Sequence, residues 1–308
     1  MKKSNILVIG SLNMDWIIEV DHTPIAGETL LGHFAKEVPG GKGANQAYAA
    51  SSLGGHVTML GAVGKDPSGE KLLQSLQKAG VNTSPIQANS ETGSGMAIIY
   101  LNKMGNNSIV VLPNANNTVT KEVIMAHDEL FKVADIIMLQ LEIPLEAVYE
   151  AATLAHKYHK TIILNPAPAI SHLPNEILSK IDYITPNETE LSTLTNQPVT
   201  TVDDAIIAAQ TLLRSGVKHV ITTLGEKGAV LVTLEEARHF PALSVKAIDT
   251  TAAGDSFNGA LAVYLAEGKS IEEAIVFGNQ VAAITVTREG AQSSIPFREE
   301  ILPTTENL

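Results

Sequence analysis

Cysteine is absent from the 308-residue chain, which excludes a disulfide framework and a cysteine zinc site and fits a cytosolic location. Basic residues are few: 21 lysines and arginines stand against 33 aspartates and glutamates, a net charge of -12. A general nucleic-acid-binding surface is normally basic, so that class is set aside. An acidic protein can still hold phosphate, through local backbone amides and a metal rather than a basic face. Long apolar runs are missing too. No stretch approaches the length of a membrane span, and Ile6–Ile9 is too short for the apolar region of a secretion signal. The nine histidines show no metal spacing; His156 and His159 lie three apart on one predicted helix with no third ligand nearby, and read as a solvated face. No Gly-x-Ser-x-Gly elbow occurs, and there is no internal repeat or low-complexity tract.

What is present is a globular composition, 44% hydrophobic and 18% charged, with core enough for two domains or one large α/β domain with an insertion. Apolar runs at Asn5–Ile9, His56–Leu60, Asp135–Leu141, Thr161–Leu164, Tyr183–Thr185 and His219–Thr223 read as strands. Helical patterns fill Ala44–Leu53, Ser68–Ala79, Pro144–His159, Val202–Ser215, Asp255–Ala266 and Ile271–Val286, several of them stopped by glycine. This alternation predicts a doubly wound, mostly parallel sheet with helices on both faces. Ligands of such sheets bind beyond the carboxyl ends of the strands. Two segments break the rhythm. Residues 14–36 hold Trp16–Val20 and a Pro24/Gly27 turn; residues 94–112 read as a hairpin, Met96–Asn102 and Ser108–Leu112, around Met104-Gly105-Asn106-Asn107. Both are expected to form a small separate sheet, with edge strands of the main sheet as the alternative.

Six stretches carry candidate chemistry. In Asp249-Thr250-Thr251-Ala252-Ala253-Gly254-Asp255, small residues precede a helix start, where unpaired amides and the helix dipole favour an anion. A carboxylate there repels an anion unless it has another task, and accepting a proton from a hydroxyl beside a phosphoryl group is such a task; the alternative is that Asp255 only caps the helix. Gly40-Gly41-Lys42-Gly43-Ala44-Asn45 opens another helix; because Gly43 follows Lys42 it is not a Walker A loop, but its glycines permit backbone contact with a small ligand, unless they form a plain turn. Asn13 and Asp15 follow the first strand two positions apart and suit vicinal hydroxyls, or else a polar turn. Asn187 and Glu190 share a helix face and suit hydrated Mg²⁺ near phosphates, or else form a capping box. Thr223-Leu224-Gly225-Glu226-Lys227-Gly228, after a strand, can approach a nucleotide or simply close a hairpin. The loop Arg288–Ser294 says little alone.

In combination these motifs resemble the ribokinase/phosphofructokinase-B family of sugar and nucleoside kinases, over the whole length from "GSLNMD" to "GAQSSIP". "GGKGANQA" is similar to the family's N-terminal signature and "DTTAAGDSFNGA" to its C-terminal one; "NPAPA" (165–169) and "TPNETE" (185–190) fit as well. The resemblance implies one α/β domain with a β-sheet lid at about 14–36 and 94–112, often paired into a homodimer. It implies ATP and D-ribose as substrates, with ADP and D-ribose 5-phosphate as products. Asp255 then matches the base for the 5-hydroxyl, and the amides of Ala252, Ala253, Gly254 and Asp255 the anion hole. Asn13, Asp15, Gly41, Lys42, Gly43, Ala44, Asn45 and Glu142 match the sugar side. Asn187, Thr223 to Gly228, Gly254 and Asn279 match the nucleotide side, and Asn187 with Glu190 the motif tied to Mg²⁺. A monovalent cation, usually K⁺, is implied at Asp249, Thr251, Thr285, Arg288, Gly290 and Ser294, mostly through backbone oxygens. A deoxyribokinase or another kinase of the family is the nearest alternative; a non-catalytic sugar sensor is the alternative of another class.

Overall fold

The computed structural model describes residues 5–103 and 107–301. In chain order its elements are β1 (Asn5–Ile9), β2 (Asn13–Val20), β3 (Phe34–Gly40), α1 (Lys42–Ser52), β4 (His56–Leu60), β5 (Ala62–Gly64), α2 (Pro67–Lys78), β6 (Gln87–Asn89), β7 (Gly95–Asn102) and β8 (Asn107–Leu112). Then follow α3 (Lys121–Ala126), α4 (Asp128–Val133), β9 (Ile136–Leu139), α5 (Leu145–Lys157), β10 (Thr161–Leu164), α6 (Asn175–Leu178), β11 (Tyr183–Ile184), α7 (Glu188–Thr195) and α8 (Val202–Arg214). The chain closes with β12 (His219–Thr223), β13 (Ala229–Val232), β14 (Ala237–Phe240), α9 (Ala253–Ala266) and α10 (Ile271–Thr285).

Eight strands form one sheet in the order β14-β13-β12-β11-β10-β9-β1-β4. From β4 to β12 every pairing is parallel, and β13 and β14 add an antiparallel edge. The apolar runs explain this. Along β1, Leu7 and Ile9 enter one core while Ile6 and Val8 enter the other; β9 divides the same way, Ile137 and Leu139 against Ile136 and Met138. Side chains of a strand alternate between faces, so a strand apolar at every position needs cover on both sides. Helices α3, α5 and α8 cover the first face, and α1, α2, α9 and α10 the second. Each buried Ile or Leu contributes roughly 1.5–3 kcal/mol.

Helices α1 and α9 pack unusually close. A Cβ placed on Gly259 would lie 2.6 Å from the Ala49 Cβ and 2.8 Å from the Ala50 nitrogen, so only glycine fits there. This contact sets the first turn of α9 beside the first turn of α1.

A second sheet runs β3-β2-β7-β8 and, among the described residues, pairs only within itself; β5 and β6 make a short parallel pair. The two rhythm-breaking segments are therefore a separate sheet and not edge strands of the main one. Their limits differ from expectation: the strands span 13–20, 34–40, 95–102 and 107–112, so β3 runs on to Gly40 and delivers the chain straight into α1. Of the expected hairpin turn, residues 104–106 lie outside the described residues. Two further corrections concern helix ends. His159 falls beyond α5 with φ 53°, so it does not share a helix with His156. Helix α9 begins at Ala253 rather than Asp255.

Among the described residues, no helix is long and apolar enough to cross a membrane. A depression of about 450 Å³ lies between α5 and α6, lined by Leu145, Glu146, Tyr149, Pro174, Glu176 and Ile177; none of the candidate site residues borders it.

Candidate active site

The main sheet's order reverses between β1 and β9: the chain leaves β1 for β4 on one side and returns later to β9 on the other. Such a switch point opens a crevice at the carboxyl ends of the strands. Ser11 follows β1 and Glu142 follows β9, and the Ser11 hydroxyl donates to Glu142 Oε2 at 2.5 Å. The same carboxylate oxygen accepts from the Lys42 amide at 3.0 Å, so Glu142 sits against the first turn of α1. Gly41 precedes that helix with φ 90°, a conformation costly for residues with a side chain.

The segment before α9 is shaped by its own polar groups. Asp249 Oδ1 accepts from the Thr251 amide and Oδ2 from the Gly290 amide, both at 2.9 Å. Ala252 turns left-handed with φ 61°. A non-glycine residue there is strained, and such strain gathers at functional sites. The helix then starts at Ala253. Among the described residues nothing accepts from the amides of Ala252, Gly254 and Asp255, whereas the Ala253 amide donates to Thr250 O at 3.3 Å. Of the four amides expected to line an anion hole, three are thus open and that of Ala253 is already paired. Apart from its chain neighbours and its own helix backbone, no described residue lies within 4 Å of where a Gly254 Cβ would be, so the helix faces open space at this position.

Asp255 is the third residue of α9, and its carboxylate makes no cap. It turns instead toward α1, where Oδ2 accepts from Asn45 Nδ2 and Oδ1 from Gln46 Nε2, each at 3.0 Å. Burial pushes its pKa above the usual carboxylate range, against the pull of Lys42, Asn45 and Gln46. Burial also opposes the Lys42 ammonium, but the charges of Asp255, Glu142, Glu190 and Asp15 around it raise its pKa. Asp15 is pushed up to about 7 by burial and by the negative charges of Glu142 and Asp255. One lysine therefore sits in the shared field of four carboxylates drawn from α7, α9, β2 and the β9–α5 loop.

Asn13 is buried at the start of β2 and level with Gly40 and Gly95 on its neighbours. Its Oδ1 accepts from Asn116 Nδ2 at 2.8 Å, and Asn116 also bonds both main-chain groups of Leu12. Asp15 follows on the same side of the strand. Asn13, Asp15, Glu142, Asn45 and Asp255 thus belong to one region at the ends of the strands.

Asn187 and Glu190 open α7. The capping box is real: Asn187 Oδ1 accepts from the Glu190 amide, and the Glu190 carboxylate accepts from both the Asn187 amide and its Nδ2. Glu190 is buried, which raises its pKa. The loop after β12 is joined to this helix, because the Thr223 amide donates to Pro186 O and Lys227 Nζ to Glu188 Oε1, each at 3.0 Å. Within it Leu224 points into the core, so only its backbone faces the loop's outer side. Asn279 Nδ2 donates to Phe240 O at 3.1 Å, tying α10 to the end of β14.

The candidate cation residues draw two loops together. Besides the Asp249 bridge to Gly290, the amides of Ile248 and Asp249 both donate to Val286 O. The Thr285 hydroxyl lies 3.0 Å from Ser256 Oγ, and the Ser294 hydroxyl donates to Ala291 O. The Arg288 side chain turns away to Glu300 Oε1 at 2.7 Å. Burial works to raise the Asp249 pKa, but bonds from Thr251 and Gly290 outweigh it and hold the carboxyl below its usual range.

Several residues escaped the sequence reading. Ser11, Gln46, Asn116, Gln140, Asn165 and Gln292 are buried polar side chains bonded to the site or to one another. Their signal is a polar residue inside an apolar pattern, as at Gln46 within α1, and such residues also occur on solvated faces.

Residues 3–298 match the profile of the pfkB family carbohydrate kinases. The chain is 42% identical to a ribokinase of Haemophilus influenzae over 300 residues, which is 97% of this chain and 98% of that one. It is 40% identical to a deoxyribokinase of Salmonella typhimurium over 296 residues, 96% of this chain and 97% of that one. The solved structure of an Arabidopsis thaliana ribokinase complexed with ribose and ATP superposes with a TM-score of 0.90 at 32% identity, covering 98% of both chains.

Proposed function

Since the chain belongs to the pfkB family of carbohydrate kinases, we propose that it transfers the γ-phosphoryl group of ATP to the 5-hydroxyl of D-ribose, giving D-ribose 5-phosphate and ADP. The observation that carries this is the placement of Asp255: a buried, doubly hydrogen-bonded carboxylate in the first turn of a helix, beside the open amides of Ala252, Gly254 and Asp255.

Asp255 takes the proton of the sugar hydroxyl as its oxygen forms the new bond to phosphorus, and the bond to the ADP oxygen breaks. The open amides of Ala252, Gly254 and Asp255 face the charge on the transferring group. Lys42, charged throughout, offsets it from the α1 side. Asn13, Asp15, Gly41, Gly43, Ala44, Asn45 and Glu142 hold the sugar; Asn187, Thr223 to Gly228, Gly254 and Asn279 hold the nucleotide. The small sheet closes over the sugar and excludes water. Its outer strand exposes Ile109, Val110, Val111 and Leu112, an apolar edge that suits pairing with a second copy.

A carboxylate offers about four lone-pair sites. Glu190 uses two on Asn187, which leaves room for water on a hydrated Mg²⁺ carried by the phosphates. When bound with the nucleotide, Mg²⁺ would supply neutralisation of the phosphate charge. Asp249, ionised and fixed between two loops, fits a K⁺ held with the carbonyls of Thr251, Thr285, Arg288, Gly290 and Ser294. Such an ion would fix the shape of the segment that leads into the anion hole. Cytoplasmic residence belongs to the same reading.

The 40% identity to a deoxyribokinase favours 2-deoxyribose as the second reading. ADP release across ribose, 2-deoxyribose, fructose and adenosine, with and without K⁺, tests both. Fast, K⁺-stimulated turnover on ribose is expected. Preference for 2-deoxyribose would leave the Asp255 mechanism and overturn the sugar; sugar binding without any ADP release would favour a sensor.

A further inference from the structure

Gln46 is too buried to reach a ligand, at 1% exposure, yet its amide touches Asp255 directly. The orientation of that amide is dictated from outside the site. The Thr185 carbonyl can only accept, so the Asn165 group facing it at 3.1 Å must be Nδ2. The other end of Asn165 is then Oδ1, which requires a donor, and Gln46 Nε2 supplies one at 3.1 Å. The second hydrogen of the same nitrogen goes to Asp255 Oδ1, and Gln46 Oε1 accepts from Gln140 Nε2 at 2.6 Å. A flipped Gln46 would set oxygen against Asn165 Oδ1 and Asp255 Oδ1, and nitrogen against the Gln140 donor. The donor toward Asp255 is therefore locked in place by a main-chain carbonyl at the end of β11.

The opposite oxygen is held differently. Asn45 Nδ2 reaches Asp255 Oδ2, and behind Asn45 stands Gln292, which donates to its Oδ1 at a long 3.3 Å and in turn accepts from the Ser75 hydroxyl. That support is looser, and Asn45 is itself one of the residues assigned to the sugar.

We propose that Gln46 is a positioning residue for the transfer: its Nε2 permanently occupies Asp255 Oδ1 and so directs Oδ2, the oxygen beside Asn45, toward the sugar hydroxyl. Gln140 and Asn165 act one step behind it. This rests on Asp255 being the base, so the test reads Asp255 both with and without catalysis. A hydrogen bond to the charged form is also one of the forces that oppose the burial of Asp255.

The experiment compares wild type with Gln46→Met, which keeps length and volume but has no donor. Turnover against pH is measured with ribose and ATP. The Asp255 carboxyl is followed separately by ¹³C NMR of aspartate-labelled protein without substrates, its resonance assigned by its loss in Asp255→Asn. The expected result is a kcat reduced roughly ten- to a hundredfold, a ribose KM within about threefold, and an acidic limb of the kcat profile and an NMR titration that both move to higher pH. A lower kcat with neither pH response moved is what a packing defect would give, and it overturns the proposal. So does an unchanged kcat with an unchanged titration. A shifted titration with unchanged turnover overturns Asp255 as base, and the positioning role with it. If Gln46→Met does not fold, Gln140→Met removes the bond behind Gln46 and must move both readouts in the same direction by a smaller amount; no movement there sinks the idea.

Discussion

Ser11 and Glu142 meet at 2.5 Å across the point where the strand order of the main sheet reverses, one residue contributed by the end of β1 and the other by the end of β9. The contact converts a property of topology into a fixed carboxylate. Glu142 also accepts from the Lys42 amide, so it has one donor from a side chain and one from the backbone. Removing the side-chain donor with Ser11→Ala leaves the backbone donor in place. We expect the KM for the sugar to rise three- to tenfold with kcat within twofold, since a bond to a charged group is roughly 1.5–3 kcal/mol before compensation. Steady-state kinetics at fixed ATP checks this, and an unchanged KM would remove Glu142 from the sugar contacts.

The Asp255 carboxylate has a donor on each oxygen, and an amide in its place keeps the shape while losing the base. For Asp255→Asn we expect kcat to fall roughly a hundred- to ten-thousand-fold. Sugar affinity, read by calorimetry without nucleotide, should stay within about fivefold, because Asn13, Asp15 and Glu142 remain. Near-normal turnover in this variant would refute the role.

How far the sequence goes toward this site depends on what holds each residue. The strands of the main sheet were legible because apolar runs such as those of β1 and β10 are buried on both faces. Asp255, Asn187 and Glu190 were legible because helix starts have local signatures. The sequence points to a start of α9 two residues late, because an alanine in the left-handed region, Ala252, carries no capping signal. At Asn187 and Glu190 the capping-box alternative forms, and it leaves lone pairs of the Glu190 carboxylate over. Gln46, Asn165 and Gln140 are invisible in the sequence because the partners of Gln46 lie 94 to 209 residues away, and only the packing of α1 against α9 and the sheet brings them together.

That packing gives a test of how the fold sets the chemistry. Any side chain at Gly259 meets Ala49 and the Ala50 backbone, so Gly259→Val must push α9 away from α1. Overpacking of this kind costs roughly 1–3 kcal/mol. Asp255 lies one turn away on the same helix, and a small displacement there should lower kcat by more than tenfold while the protein remains folded. Circular dichroism melting paired with kinetics separates the two effects; full activity in a destabilised protein would mean that the helix spacing does not position Asp255.

The charge on Asp15 links stability to function with opposite signs. Its pKa lies at about 7 in the folded protein against an ordinary value of 3.8. A carboxyl raised on folding contributes nothing unfavourable below 3.8, where both states are protonated; the loss of stability accumulates as pH rises from there to about 7 and is complete above it. Asp15→Asn removes that loss. Relative to wild type, the variant should gain little at pH 4 and roughly 1–3 kcal/mol at pH 8, in denaturant melts run at both. Sugar binding should respond the other way, since an ionised Asp15 is the better acceptor for hydroxyl groups. Wild-type affinity for ribose should therefore weaken as pH falls from 8 to 6, and Asp15→Asn should bind weakly and without that dependence. A variant equally destabilised at both pH values would show that Asp15 is held for packing, and a wild-type affinity flat between pH 6 and 8 would show that its proton is already gone when the sugar arrives.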